Sequence, residues 1–132
     1  MPNCPELIFS YLACFKLGAI AVPLNHRYRQ LEAEYALAHS GSTTLVVHAD
    51  KRADVHGLPF ARLGIDNLFL IDQEPQPDSG FRPFATLLTG DAPALPAATF
   101  DDWQLATIMY TSGTTAKPKG VVHSHETLWN CV

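Results

Sequence analysis

The stretch that most constrains this chain lies near its end. An apolar run, Leu105-Ala106-Thr107-Ile108-Met109-Tyr110, meets Thr111-Ser112-Gly113-Thr114-Thr115-Ala116-Lys117-Pro118-Lys119-Gly120, and the chain turns apolar again at Val121-Val122. The first run reads as a buried strand and Val121-Val122 as part of another. A loop dense in hydroxyls, glycines and lysines is then held between two strands, where a rigid scaffold presents a binding site.

The loop's chemistry points to phosphate. Gly113 and Gly120 can take backbone angles closed to other residues and let the chain approach a ligand closely. Successive backbone N–H groups can converge on an anion. Thr111, Ser112, Thr114 and Thr115 add hydroxyl donors. Lys117 and Lys119 add point charges suited to phosphate, and Pro118 stiffens the run between them. A nucleotide triphosphate is the ligand this set fits best. The same composition also describes a solvated linker. The Walker-type phosphate loop is set aside, because Gly113 leads to Pro118-Lys119-Gly120 rather than to Gly-Lys-Ser/Thr and a helix.

The segment Ile108-Met109-Tyr110-Thr111-Ser112-Gly113-Thr114-Thr115-Ala116-Lys117-Pro118-Lys119-Gly120-Val121-Val122 resembles the signature of the AMP-forming adenylating enzymes. These include acyl-CoA synthetases, peptide-synthetase adenylation domains and luciferases. One position departs: the family usually has Gly where this chain has Ala116. If that Gly takes a positive φ, Ala is strained there. Val121-Val122-His123-Ser124-His125-Glu126-Thr127-Leu128 resembles the carboxylate–CoA ligases more than the peptide synthetases.

Upstream, strands alternate with helices, which means an α/β fold with a largely parallel sheet. Residues 5–17 read as a helix, with Asn3 as N-cap and Glu6 as its capping-box partner. Leu7, Ile8, Tyr11, Leu12 and Phe15 form its apolar face, and Gly18 ends it. Ala19 to Val22 reads as a short buried strand stopped by Pro23. A second helix spans Gln30 to His39, with Leu31, Tyr35 and Ala38 on one face and Ser40-Gly41 at its end. Thr43 to His48 and Asn67 to Ile71 read as strands. A weaker helix over 51–63 between them is interrupted at Gly57-Leu58-Pro59. Phe81 to Leu88 reads as a short helix between irregular linkers at about 73–80 and 90–100.

Asn3-Cys4-Pro5-Glu6 and Leu17-Gly18-Ala19-Ile20-Ala21-Val22-Pro23-Leu24-Asn25 resemble the same family's early helix and the strand behind it. The resemblance thus covers the whole chain. It implies part of the large N-terminal domain of adenylate-forming enzymes, a mostly parallel sheet with flanking helices. Residues 1–132 are then expected to be a partial AMP-binding domain truncated at both ends and lacking the remainder of its own domain. The family's acyl-pocket, metal-linked Glu and ribose-binding motifs, hinge and C-terminal Lys are not found in the chain.

The resemblance implies a two-step reaction. A carboxylate such as a fatty acid attacks ATP to give an acyl-adenylate, and coenzyme A then displaces AMP. Thr111, Ser112, Gly113, Thr114, Thr115, Lys117, Lys119 and Gly120 would hold the ATP phosphates, with Lys119 matching the family's Pro-Lys-Gly lysine. Mg2+ would bridge phosphates through a ligand outside this chain. The alternative is a non-catalytic fragment or phosphate-binding module without ligase activity, and the 132-residue chain alone is expected to be inactive.

Other features are weaker. His123 and His125, two apart, would share a strand face, but no third metal ligand is evident. His125 matches a histidine common after the family's loop and is expected in packing or in the substrate pocket. Asp101-Asp102 reads as exposed acids before a strand. Tyr11, Phe15 and Tyr35 read as core aromatics. Cys4, Cys14 and Cys131 have no metal-ligand spacing and read as reduced thiols. A net charge of −4 argues against a nucleic-acid partner. No run approaches the roughly 20 apolar residues of a membrane span and no secretory signal is evident, so a cytoplasmic location is expected.

Overall fold

Glycine ends both long helices. Gly18 (φ 68°) closes α1, Pro5–Leu17, and Gly41 (φ 64°) closes α2, Gln30–Ser40; only glycine takes this left-handed conformation without strain. Then follow β1 (Thr44–His48), a 3₁₀ turn, α3 (Arg52–Val55), α4 (Phe60–Leu63), β2 (Asn67–Ile71) and β3 (Arg82–Pro83). A second 3₁₀ turn, β4 (Leu105–Thr111), β5 (Lys119–Ser124) and α5 (His125–Trp129) complete the order. The computed structural model describes residues 1–72, 80–90, 101, 103–111 and 117–130. Most of the two linkers anticipated at about 73–80 and 90–100 lies outside the described residues.

The chain divides into two units. The first comprises Met1–Asn3 and His26–Asp91. Its sheet has the order β1-β2-β3 and is parallel throughout, as the alternation of elements predicts. Residues Thr44 to His48 pair in sequence with Asn67 to Ile71. Leu45, Val47, Phe69 and Leu70 are buried on this sheet, with Val55, Leu58, Ile65, Phe81 and Phe84 completing the core. The Phe60 and Phe81 rings meet edge to face at 5.8 Å. Arg82 lies 4.3 Å over the Phe69 ring and donates to Asn67 Oδ1. The segment from Phe81 to Leu88 is thus a two-residue edge strand and a 3₁₀ turn rather than a helix. Pro83 suits an edge, since it has no N–H to donate.

The buried face of α2 is not the expected one. Leu31 is 80% exposed and Ala38 is exposed, while Ala33, Ala36 and Leu37 are buried. The helix packs against α3 and α4. Two alanines let the backbones approach closely, and that contact outweighs the larger but outward Leu31. Charged groups tie the same elements together. Asp54 accepts from Arg29 at 2.8 Å and from Lys51 at 3.1 Å, and those hydrogen bonds hold its carboxyl below the usual range. Glu34 takes Arg62 at 2.6 Å.

The second unit comprises Cys4–Asn25 and Ala92–Val132, and holds α1, β4, β5 and α5. The N-cap of α1 is Cys4, with no side-chain cap bond, rather than Asn3. Its apolar face splits. Leu7, Tyr11 and Phe15 are half-buried, whereas Ile8 and Leu12 are 55% and 54% exposed. Residues 7, 11 and 15 follow one i, i+4 row and 8 and 12 the next, so only one row turns inward. Ala19 to Val22 forms no strand; it makes one parallel bridge, Ala21 to Thr107. Pro23 lacks the N–H that would extend that ladder.

In urea denaturation, Leu37→Ala is expected to cost about 2–5 kcal/mol and Leu31→Ala less than about 0.5 kcal/mol. The reverse ranking would contradict the assignment of the buried face.

Candidate functional site

The hydroxyl- and lysine-rich loop leaves from the end of β4 and returns at the start of β5. These strands form an antiparallel hairpin pairing Thr107 with His123, Ile108 with Val122, Met109 with Val121, Tyr110 with Gly120 and Thr111 with Lys119. The pairing shifts by one between Leu105 and Thr107. Such an irregularity bends a strand and re-aims its side chains.

The shifted point is also where the hairpin is anchored. Ala21 donates its N–H to Ala106 O at 2.9 Å, and Ala21 O accepts from Ile108 N at 3.0 Å. The Thr107 hydroxyl donates to the same oxygen at 2.7 Å. Thr107 is 1% exposed, so its hydroxyl needs this partner. Gln104 donates to Gly18 O at 3.1 Å and its own carbonyl accepts from His125 N at 3.1 Å. These bonds fix β4 against the segment leaving α1 and against the start of α5.

Alternation along the strands puts Thr111 and Lys119 on one face with Met109 and Val121, and Tyr110 and Gly120 on the other. Thr111 and Lys119 are exposed, and Thr111 Oγ1 lies 3.5 Å from the Lys119 carbonyl oxygen. Lys117 is exposed, one residue before Pro118. Of the residues expected to meet phosphate, Thr111, Lys117, Lys119 and Gly120 are described; Ser112, Gly113, Thr114 and Thr115 lie outside the described residues, as does Ala116. Gly120 is an extended strand residue and is not among the glycines at positive φ. What its missing side chain supplies is room: a Cβ there would sit 3.0 Å from Ile108 Cγ2 and 3.5 Å from the Tyr110 ring.

His123 and His125 do not share a strand face. His123 belongs to β5, while His125 is the first residue of α5. That helix is absent from the sequence reading. Its signal is Ser124, whose side chain accepts from Thr127 N at 3.2 Å, followed by Glu126 in the first turn. The His125 ring meets Phe15 edge-on at 5.7 Å. Cys4 and Cys14 are free and half-buried, and burial pushes the Cys14 thiol up, which keeps it protonated; Cys131 lies outside the described residues.

An α/β framework with a parallel sheet, and a hairpin carrying a Thr/Ser/Gly/Lys loop, define the class. Within it, the family model described as AMP-binding enzyme matches residues 1–132, so the chain belongs to the AMP-binding enzyme family. It is 35% identical over 135 residues to a feruloyl-CoA synthase of an Amycolatopsis species, a match covering 99% of this chain and 23% of that protein. It is likewise 35% identical over 138 residues to a crotonobetaine/carnitine–CoA ligase of Salmonella typhi, with 97% and 25% covered. The anthranilate CoA ligase AuaEII, solved in complex with anthranoyl-AMP, matches with a TM-score of 0.83 and 29% identity, over 92% of this chain and 23% of that one. This chain thus spans about a quarter of the length of the proteins it matches.

Thr107→Val keeps the shape of the buried side chain and removes its donor. Chemical denaturation is expected to show a loss of about 1 kcal/mol; an unchanged midpoint would mean that the bond to Ala21 contributes nothing to the anchor.

Proposed function

We propose that this chain supplies the ATP phosphate-binding hairpin of an AMP-forming carboxylate–CoA ligase. The observation that carries the reading is the pairing of Thr111 with Lys119 at the mouth of a hydroxyl- and lysine-rich loop, in a chain 35% identical to a feruloyl-CoA synthase. In the proposed reaction a carboxylate oxygen attacks the α-phosphorus of ATP. An oxygen–phosphorus bond forms as the bond to the β-phosphate bridge breaks, and pyrophosphate leaves. The sulfur of coenzyme A then attacks the acyl carbon and AMP departs.

Positioning and charge stabilisation carry most of such a reaction. Thr111, Ser112, Thr114 and Thr115 donate hydrogen bonds to the leaving phosphates. Gly113 and Gly120 keep the loop free of obstructing side chains, and Lys117 and Lys119 offset the charge. His125, stacked edge-on against Phe15, borders the carboxylate pocket. Among the described residues no three His, Cys, Asp or Glu side chains converge as a metal site would require. Magnesium, however, is held mainly by substrate phosphates with one or two carboxylates; it would offset phosphate charge in this reading, and no step is assigned to it. No described helix is long and apolar enough to cross a membrane. The same reading puts the reaction in the cytoplasm, where ATP and coenzyme A are supplied.

A second reading is favoured by the extent of the match, since the chain spans 23% of the feruloyl-CoA synthase. The polypeptide then binds phosphate without joining an acid to coenzyme A. In a ligase carrying this sequence, Lys119→Ala is expected to slow pyrophosphate release by about 10- to 100-fold. An unchanged rate would remove Lys119 from the phosphate site. The 132-residue chain tests the second reading: pyrophosphate release by that chain alone, given an acid, sinks it.

A further inference from the structure

The apolar pattern of the hairpin does not select its pairing. Val121 and Val122 point to opposite faces yet are 42% and 49% exposed, and Met109, on the face of Val121, is 38% exposed. Ile108 and Tyr110, on the face of Val122, are only half-buried, and where neither face is fully buried strand register is weakly specified by burial. The ladder already shifts by one residue at its far end, between Leu105 and Thr107. A second slip at the loop end would carry Lys119 to the opposite face and away from Thr111, because side chains alternate at every residue.

One feature of the loop end is selective by shape. Ile108, Tyr110, Gly120 and Val122 share a face, with Tyr110 directly opposite Gly120 and Ile108 diagonal to it. The Tyr110 ring and Ile108 Cγ2 approach Gly120 so closely that an added Cβ would lie 3.5 Å from the ring atoms Cε1 and Cζ and 3.0 Å from the methyl. A contact of 3.0 Å is tighter than ordinary carbon packing, which begins at about 3.5 Å. Gly120 has no positive φ to explain its identity. An aromatic ring laid across a strand glycine is a known means of pinning register.

We propose that Tyr110, Ile108 and Gly120 form a size-matched register lock that holds Thr111 opposite Lys119. Tyr110 and Ile108 are then positioning residues, and Gly120 is required for the space it leaves rather than for contact with phosphate. This deepens the phosphate-hairpin reading and rests on it for its functional consequence, while the lock itself is a property of the strands. Any neighbour at position 120 larger than hydrogen meets Ile108 first. Ile108 Cγ2 or the strand must then give by a few tenths of an ångström, and movement of the strand, by opening or slipping, misplaces Lys119.

The test is a size-exchange series on the 132-residue chain: wild type, Gly120→Ala, Ile108→Ala and the double variant. Each is read by hydrogen exchange of the hairpin amides, by ATP titration and by its thermal midpoint. Gly120→Ala is expected to speed exchange at the paired amides and weaken ATP binding by about tenfold. Adding Ile108→Ala, which removes the opposing methyl, is expected to return both readings to those of Ile108→Ala alone. Should Gly120→Ala fail to fold, recovery of a cooperative transition in the double variant supports the lock equally. The proposal is overturned if Gly120→Ala matches wild type. It is also overturned if the second substitution gives no recovery, the result expected if Gly120 serves ligand approach directly. If even wild type binds no ATP, the phosphate reading fails, and hydrogen exchange still decides the lock.

Discussion

The carbonyl oxygen of Ala21 is the point on which the second unit turns. It accepts from the Ile108 N–H and from the Thr107 hydroxyl, while the Ala21 N–H donates to Ala106 O. Three hydrogen bonds to one residue are a compact anchor. They sit where Ala106 is fully buried and Thr107 nearly so. In that setting a lost partner leaves a desolvated polar group, which costs more than the bond itself contributes. The hairpin is therefore fixed at its base by backbone and hydroxyl groups, and its outer end depends on what the strands do for each other.

That division explains the unequal burial along the hairpin. At the base Ala106, Thr107 and Ser124 are buried; toward the loop Met109, Thr111, Lys119 and Val121 are exposed. The proposed site for a large anion needs such an open end, because charged phosphates would have to enter and a leaving group to depart. It also needs the donors to stay in place without a packed core above them. Cross-strand pairing supplies that order at little cost in accessibility.

The regular elements were legible where chemistry acts locally. The β-branched run into Val46-Val47 and the apolar Leu68-Phe69-Leu70-Ile71 sit in strands with bounds close to those read from the sequence. Gly18 and Gly41 end their helices as expected. Two of the failures share a cause: they depend on partners distant in sequence. Leu31 looks like a core residue by size, yet α2 turns Ala33 and Ala36 inward because close approach to α3 and α4 favours small side chains. Ala19 to Val22 has the composition of a strand, yet only Ala21 finds a partner. Asn3 suits a cap chemically, but the chain enters α1 through Cys4. At the site, the sequence offers Gly120 freedom for unusual backbone angles, whereas its backbone is extended, and the close approach of Ile108 is visible only in the fold. Ser112 to Thr115 lie outside the described residues, and their proposed part in phosphate binding rests on the chemistry of the sequence.

Charge completes the argument. The chain carries a net charge of −4, yet the loop and the strand after it, from Thr111 to Ser124, contain Lys117 and Lys119 and no Asp or Glu. Two acidic groups elsewhere are matched locally, Asp54 by Arg29 and Lys51 and Glu34 by Arg62. In the proposed phosphate site, the exposed Lys117 and Lys119 stand in a stretch of sequence that contributes no carboxylate of its own. Beyond about 10 Å the remaining negative charge of the chain is screened at moderate ionic strength. On the proposed reading, selectivity for a polyphosphate would come from this local arrangement and from the register proposed to aim Lys119, rather than from the overall field of the protein.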